Sequence, residues 1–424
     1  MRIVIATLGT RGDVLPLVIL GRGLRDAGHD VLISTHERFR SLADDASLPL
    51  HVMPGDPHDA FHADWSDVRP WRPVQHLRAV FEAVSPLVAQ APDLEALADA
   101  WADRDHVVCV GLTTFAHTVA ARIGASTTMV AMTPSLPTGA FAAPVLTPGL
   151  RLGAHGNLAS WIVAERLQRQ TFQEPLRPNE RRKWNLPRSP LARGGRDAST
   201  WPPYGLIHAY GAPLCPKPVD WPKQVGVTGW LLPELSDAPL PAAIERFLAA
   251  GPPPVYIGFG SMPVPDPSAT ADAIARAVAR TGLRAIVCGE ALAACGALND
   301  AEAIVAVDGL PHERLLHRVA AVVTHGGSGT VGASVRAGRP TLVVPFIYDQ
   351  FFWGARVRRA RAGPLPLPFR SLTCDRLAQR LGDLTSGRYD VAARRLGERV
   401  SAEPSVASAV ATIERVAADR GQRP

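Results

Sequence analysis

Apolar residues recur along the chain in two alternating patterns. Short continuous runs, of the kind a strand buried on both faces of a parallel sheet requires, stand at Ile3 to Leu8, Val31 to Ser34, Val107 to Val110 and Thr128 to Met132. Between them lie segments with helical spacing. Val14 to Ala27 carries Leu17, Leu20 and Leu24 on one face and stops at Gly28, and Thr118 to Ile123 is a second predicted helix. A further series of runs follows at Val255 to Phe259, Ala285 to Cys288, Ile304 to Val307, Ala320 to Val323 and Thr341 to Val344, with a helix predicted over Ala271 to Ala279. Strand and helix signals alternate in both series, which predicts an α/β protein with two doubly wound, Rossmann-like parallel sheets. From Leu377 to about Ala418 the pattern is helical alone.

Two irregular stretches interrupt the first series. One, 54–73, holds Trp65 and Trp71; the other, 134–203, is rich in Pro, Gly and Trp and holds Phe141 and Trp161. Loops this long inside a compact domain usually carry function. Seven prolines, at 213, 216, 218, 222, 233, 239 and 241, mark 211–241 as a linker. The predicted division is a first domain over 1–212, a linker over 213–241, a second domain over 242–395, and a helical segment over 396–424 with room to cross back onto the first domain.

Composition narrows the class. The chain has 424 residues, 46% hydrophobic and 20% charged, which is globular rather than disordered. The 45 Lys and Arg against 39 Asp and Glu leave a net charge of +6, spread as scattered Arg, so a nucleic-acid partner is not expected. Five cysteines without a C-x-x-C pair read as reduced thiols, and Cys288 and Cys295 lack His neighbours for zinc. The first apolar run is too short for a signal segment, and no run of 18 apolar residues occurs. The expectation is a cytoplasmic protein with no transmembrane segment, peripheral membrane contact remaining open.

The chemistry lies in the loops. Gly9-Thr10-Arg11-Gly12-Asp13 follows the first predicted strand, but a dinucleotide fingerprint needs G-x-G-x-x-G and only Gly9 and Gly12 stand here, which argues against NAD. Asp13 is either a helix cap or a reactive carboxylate. Thr324-His325-Gly326-Gly327-Ser328-Gly329-Thr330 follows another strand. Its glycines let N–H groups converge on an anion at a helix start, and no Walker A lysine is present. Ser328 and Thr330 serve equally as caps, and His325 either donates to a phosphate or bonds to backbone. Past the next strand, Asp349 and Gln350 pair a carboxylate with an amide, a set suited to vicinal sugar hydroxyls or to capping a helix.

Four motifs occur in order from residue 9 to residue 354: Gly9-Thr10-Arg11-Gly12-Asp13-Val14-x-Pro16, Gly258-Phe259-Gly260-Ser261-Met262, His325-Gly326-Gly327-Ser328-Gly329-Thr330, and Pro345-x-x-x-Asp349-Gln350-x-x-Trp353-Gly354. They resemble the family 1 nucleotide-sugar glycosyltransferases of GT-B architecture, in the bacterial branch with sterol-glucosyltransferase-like and antibiotic enzymes. The resemblance implies two domains facing a cleft, acceptor in the first and donor in the second. It implies Asp13 as general base, and Thr10, Arg11 and Gly12 near the donor phosphates. Ser261, His325, Gly327, Ser328, Gly329 and Thr330 would hold the diphosphate, Asp349 and Gln350 the sugar, and the Leu310 backbone the base. Trp353 favours the sterol-glucosyltransferase-like group and UDP-glucose. Three positions depart from the pattern: Gly309 where plant relatives have an aromatic, Thr324 before His325 where many antibiotic relatives have His, and Arg359-Ala360-Arg361-Ala362-Gly363 in place of a more apolar run.

The implied reaction is inverting transfer of a hexose from a UDP- or dTDP-sugar, the co-substrate, to a hydroxyl of an apolar aglycone or sterol. No cofactor and no metal are expected, because a helix end and its loop supply the charge on the leaving diphosphate. The lone D-x-D triplet, Asp103-Arg104-Asp105, reads as solvated surface. Trp65, Trp71, Phe141 and Trp161 either line the acceptor pocket or anchor loops. Of Phe351, Phe352 and Trp353, two are expected to pack beneath the site. Two alternatives stand beside this reading: a nucleotide-sugar epimerase on the same fold, and a non-catalytic partner of another transferase.

Overall fold

A computed structural model describes residues 1–56, 93–113, 115–146, 152–172 and 205–420. In chain order the first domain runs β1 (Arg2–Ala6), α1 (Arg11–Asp26), β2 (Asp30–His36), α2 (Arg40–Asp45), β3 (Leu50–Met53), α3 (Leu94–Ala100), β4 (His106–Cys109), α4 (Phe115–Ile123), β5 (Ser126–Ala131), α5 (Gly153–Phe172), β6 (Gly205–His208) and β7 (Gly226–Val227). The second runs α6 (Ala242–Ala249), β8 (Val255–Gly258), α7 (Pro267–Thr281), β9 (Ala285–Cys288), α8 (Glu290–Ala293), α9 (Gly296–Asn299), β10 (Ile304–Val307), α10 (His312–Leu315), β11 (Ala321–Thr324), α11 (Ser328–Arg336), β12 (Thr341–Val343), α12 (Gln350–Arg359), α13 (Cys374–Leu384) and α14 (Asp390–Ser401). The helix α15 (Ser405–Arg420) closes the chain.

Both sheets are parallel, with strand orders β3-β2-β1-β4-β5-β6-β7 and β10-β9-β8-β11-β12. The strands formed where the sequence is apolar on both faces: Ile3, Val4, Ile5 and Ala6 are each fully buried, with Ile3 opposite Val31 on one side and His106 on the other. The chain order reverses between β1 and β4 in one sheet and between β8 and β11 in the other. Ligands of such sheets bind outside the carboxyl ends of the strands at these reversals. The turn Gly9–Asp13 leaves β1 there, Phe259–Ser261 leaves β8, and 325–330 leaves β11.

Three features refine the pattern read from sequence. β7 lies inside the proline-rich stretch and pairs with β6, so the first sheet ends in residues that read as linker. The terminal helical segment is three helices, separated near Gly387 (φ +81°) and at Pro404. Of these, α14 stays with the second domain against α11, and the chain crosses back only at α15, whose Ala409, Val410 and Ile413 are buried in the core of the first domain beside α1. Gly23 of α1 meets Val406 so closely that a Cβ would collide with it. Among the described residues no helix is long and apolar enough to cross a membrane.

Candidate active site between the domains

Asp13 is the third residue of α1, not its cap; Thr10 is the cap. Asp13 Oδ2 accepts two hydrogen bonds from Thr10, from the backbone N at 2.8 Å and from Oγ1 at 3.0 Å. Oδ1 accepts none among the described residues. The carboxylate thus closes the capping box from the third helical position: one oxygen holds the turn while the other makes no hydrogen bond among the described residues. Gly9, at φ +120°, is required because a Cβ there would strike this carboxylate. Burial raises the Asp13 pKa, against the lowering effect of the two Thr10 bonds. The Thr10 hydroxyl, spent on Asp13, is thus not available to donate to a phosphate. Arg11 is exposed and makes no ion pair among the described residues.

Across the cleft, the backbone N–H groups of Ser328, Gly329 and Thr330 begin α11 without intrahelical acceptors, since its first bond runs from Val331 N to Gly327 O. Gly326 takes φ +98° to turn them inward. Gly327 and Gly260 make room for the imidazole of His325: a Cβ on either would strike the ring. His325 is driven to a pKa of about 4 by burial, helped by neighbouring His312, so it is neutral at pH 7. His312 is likewise near 4, lowered by burial and then by the positive charge of Arg11, and it meets Tyr256 OH at 2.9 Å through Nε2. Arg11 of the first domain thus stands close to His312 of the second. Ser261 is exposed at the end of β8, and Leu310 is half-buried before α10.

The Ser328 hydroxyl is engaged elsewhere. It donates to Met132 O at 2.8 Å and accepts from Trp230 Nε1 at 3.1 Å, joining the two domains, so its backbone alone faces an anion. Gln350 is also differently employed: Oε1 accepts from Phe346 N (2.7 Å) and Ile347 N (3.1 Å), stapling the loop that presents Asp349. Asp349 Oδ2 accepts from Trp353 Nε1 at 2.9 Å. Burial, with Asp13 as a nearby negative charge, pushes its pKa up to about 7. The carboxylates of the two domains therefore share one cleft.

Phe352 and Trp353 pack beneath the site, 6% and 0% exposed. Trp161 is buried and donates from Nε1 to Phe141 O at 3.0 Å, which is an anchoring role. Phe141 is half-buried, 5.3 Å from Phe352 between ring centroids, and Arg356 stands 4.7 and 4.8 Å from the two rings. Trp65 and Trp71 lie outside the described residues. Asp103 and Asp105 pair with Arg2 ahead of the strands, at the end of the sheet away from the cleft. Sequence reasoning missed Trp230 and Arg356; Trp230 sits amid prolines with no periodicity to mark it, and Arg356 reads as an ordinary helix-end cation.

The N-terminal domain of glycosyltransferase family 28 matches residues 3–106, and the C-terminal domain of erythromycin biosynthesis protein CIII-like proteins matches residues 285–416. A sterol 3-beta-glucosyltransferase of Arabidopsis thaliana is 31% identical over 98% of this chain and 68% of its own length. The O-mycaminosyltylonolide 6-deoxyallosyltransferase of Streptomyces fradiae is 33% identical over 99% of this chain and 98% of its own. Among solved structures, spinosyn rhamnosyltransferase SpnG superposes with a TM-score of 0.67 at 19% identity, covering 98% of this chain and 100% of that one. Glycosyltransferase VinC, solved in complex with dTDP, superposes with 0.63 at 22%, covering 99% and 100%. The protein is a glycosyltransferase and belongs to the GT-B glycosyltransferase family that includes the sterol 3-beta-glucosyltransferases and the O-mycaminosyltylonolide 6-deoxyallosyltransferase.

Proposed function

We propose that the protein transfers a hexose from a nucleoside diphosphate sugar to a hydroxyl of an apolar acceptor, with inversion and with Asp13 as general base. The observation that carries this is the open Oδ1 of Asp13, facing the same cleft as Asp349 and the amide cradle of α11. The acceptor hydroxyl donates to Oδ1. As its oxygen bonds to the anomeric carbon, the proton passes to Asp13 and the bond to the diphosphate breaks on the opposite face. A carboxylate of raised pKa is the stronger base for this, because its proton affinity lies nearer that of the alcohol oxygen whose proton it takes. Charge on the leaving diphosphate falls on the free N–H groups of α11, on one N–H of neutral His325 and on Arg11. With His325 uncharged, Arg11 is the nearby cation in this set, and the reaction is expected to proceed undiminished in a chelator.

Asp349 would bond the sugar hydroxyls and the Leu310 backbone would read the base, while Gln350, whose amide donates to Met262 Sδ at 3.2 Å, would hold the Asp349 loop in place. Phe141 supplies the apolar wall for the acceptor. The sterol and O-mycaminosyltylonolide acceptors named for the relatives support an aglycone or sterol here, and the dTDP in VinC supports a dTDP-sugar beside the UDP-sugar that Trp353 favours. The test is Asp13→Asn assayed against a panel of UDP- and dTDP-sugars with sterol and macrolide acceptors. A fall in kcat of about 100-fold or more is expected, with fold and donor affinity kept. Turnover within twofold of the native enzyme overturns the assignment.

A further inference from the structure

At the far end of α12 from Asp349, the second domain carries a cavity of about 620 Å³. A ten-residue helix spans ~15 Å, so this cavity is separate from the reacting groups. Four guanidinium groups line it, those of Arg358, Arg361, Arg380 and Arg388, with Asp383 as the one carboxylate of the lining. Asp383 is already engaged: Oδ2 accepts from Tyr389 OH at 2.8 Å, and Oδ1 lies 3.7 Å from Arg388 Nη1. The side chains of Arg358, Arg361 and Arg380 have no hydrogen bond or ion pair among the described residues, and Arg380 Nε is buried as well as unpartnered.

The rim is held by the backbone. Ala362 N donates to Val357 O at 3.1 Å and Thr341 N to Ala362 O at 2.9 Å, which pins the turn to β12. Gly363 is pressed onto the Thr341 carbonyl, where any Cβ would collide. Arg361 takes a left-handed conformation, φ +57°, unusual for a residue with a side chain. The arginine-rich run 359–363, which the donor cleft leaves unused, is thus fixed in place around a concavity. Like charges gathered this way repel one another until an anion joins them, and planar guanidinium forks match the oxygens of a phosphate. Leu365, 46% exposed, adds an apolar edge to the same rim.

We propose that this cavity is a phosphate-binding site distinct from the donor cleft, taking the phosphate either free or as the headgroup of an anionic lipid. The full chain is titrated with inorganic phosphate while amide hydrogen exchange is followed. In parallel it is sedimented with vesicles of equal parts phosphatidylglycerol and phosphatidylcholine, and with vesicles of phosphatidylcholine alone. Saturable protection at 361–365 and 386–390 by phosphate identifies a soluble ligand; sedimentation with the phosphatidylglycerol vesicles only identifies the lipid. The double variant Arg361→Gln, Arg380→Gln is expected to weaken either by about tenfold or more, each cation near an anionic surface contributing about fivefold. Its Tm in phosphate-free buffer should stay level or rise, since repulsion is removed. Protection confined to 325–330, no response to either probe, or a double variant that binds as the native protein does overturns the proposal.

Discussion

Asp349 is a cleft residue whose environment changes its chemistry. Its carboxyl has an ordinary value of 3.8 and a folded value of about 7. Between those limits the folded protein holds a proton that the unfolded chain has released, so stability falls as pH rises through this window, by up to about 1.4 kcal/mol per pH unit. Asp13 is shifted in the same direction and adds to the trend. Melting curves of the ligand-free protein should therefore show Tm declining from acid to neutral pH, and Asp349→Asn should flatten the decline. An equally steep profile in the variant would show that other groups are responsible. Asn keeps an acceptor for Trp353 Nε1, so the effect isolates charge from shape.

The loop between β11 and α11 carries an element-scale consequence. Gly327 has ordinary helical-entry angles, φ −60° and ψ 139°, so alanine suits its backbone but not its surroundings, because the new methyl displaces His325. Gly327→Ala should raise the donor KM about tenfold or more, the loss of one charge-assisted hydrogen bond, with little change in Tm. The double variant with His325→Ala should be no worse than His325→Ala alone, since both act through one imidazole. The glycines, the strand before them and the helix after them were legible because burial on both faces writes an unbroken apolar run. The same pattern could not show that the Ser328 hydroxyl is taken by Met132 and Trp230, or that Gln350 staples its own loop, because those partners come from the folded chain rather than from neighbouring sequence. β7, two residues among prolines, is too short to leave a signal of its own.

At the scale of the whole molecule, the last helix belongs to the first domain. Ile413 is fully buried in that core, far from it in sequence. Ile413→Ala should cost about 2–5 kcal/mol, read as a lower urea midpoint by a probe in the first domain. An unchanged midpoint would mean that α15 rests on the surface and contributes little. Sequence periodicity marks α15 as a helix with an apolar side but is silent on which domain that side meets. Sequence order alone would leave it with its neighbour α14, whereas its packing places it beside α1.

The chain passes between its two halves twice, and the two passages touch. Glu403 Oε1 accepts from Ala212 N at 2.8 Å, Gly229 lies against Ser405, and Trp230 is seated between Gly211 and Gly332. Such a body is hung like a jaw on a single joint, and a jaw travels least beside its pin and most at its lips. Ser328, bonded to Trp230, sits next to the pin. Opening would therefore leave the proposed seat of the diphosphate almost still while the distal mouth, where the proposed aglycone would enter, swings widest.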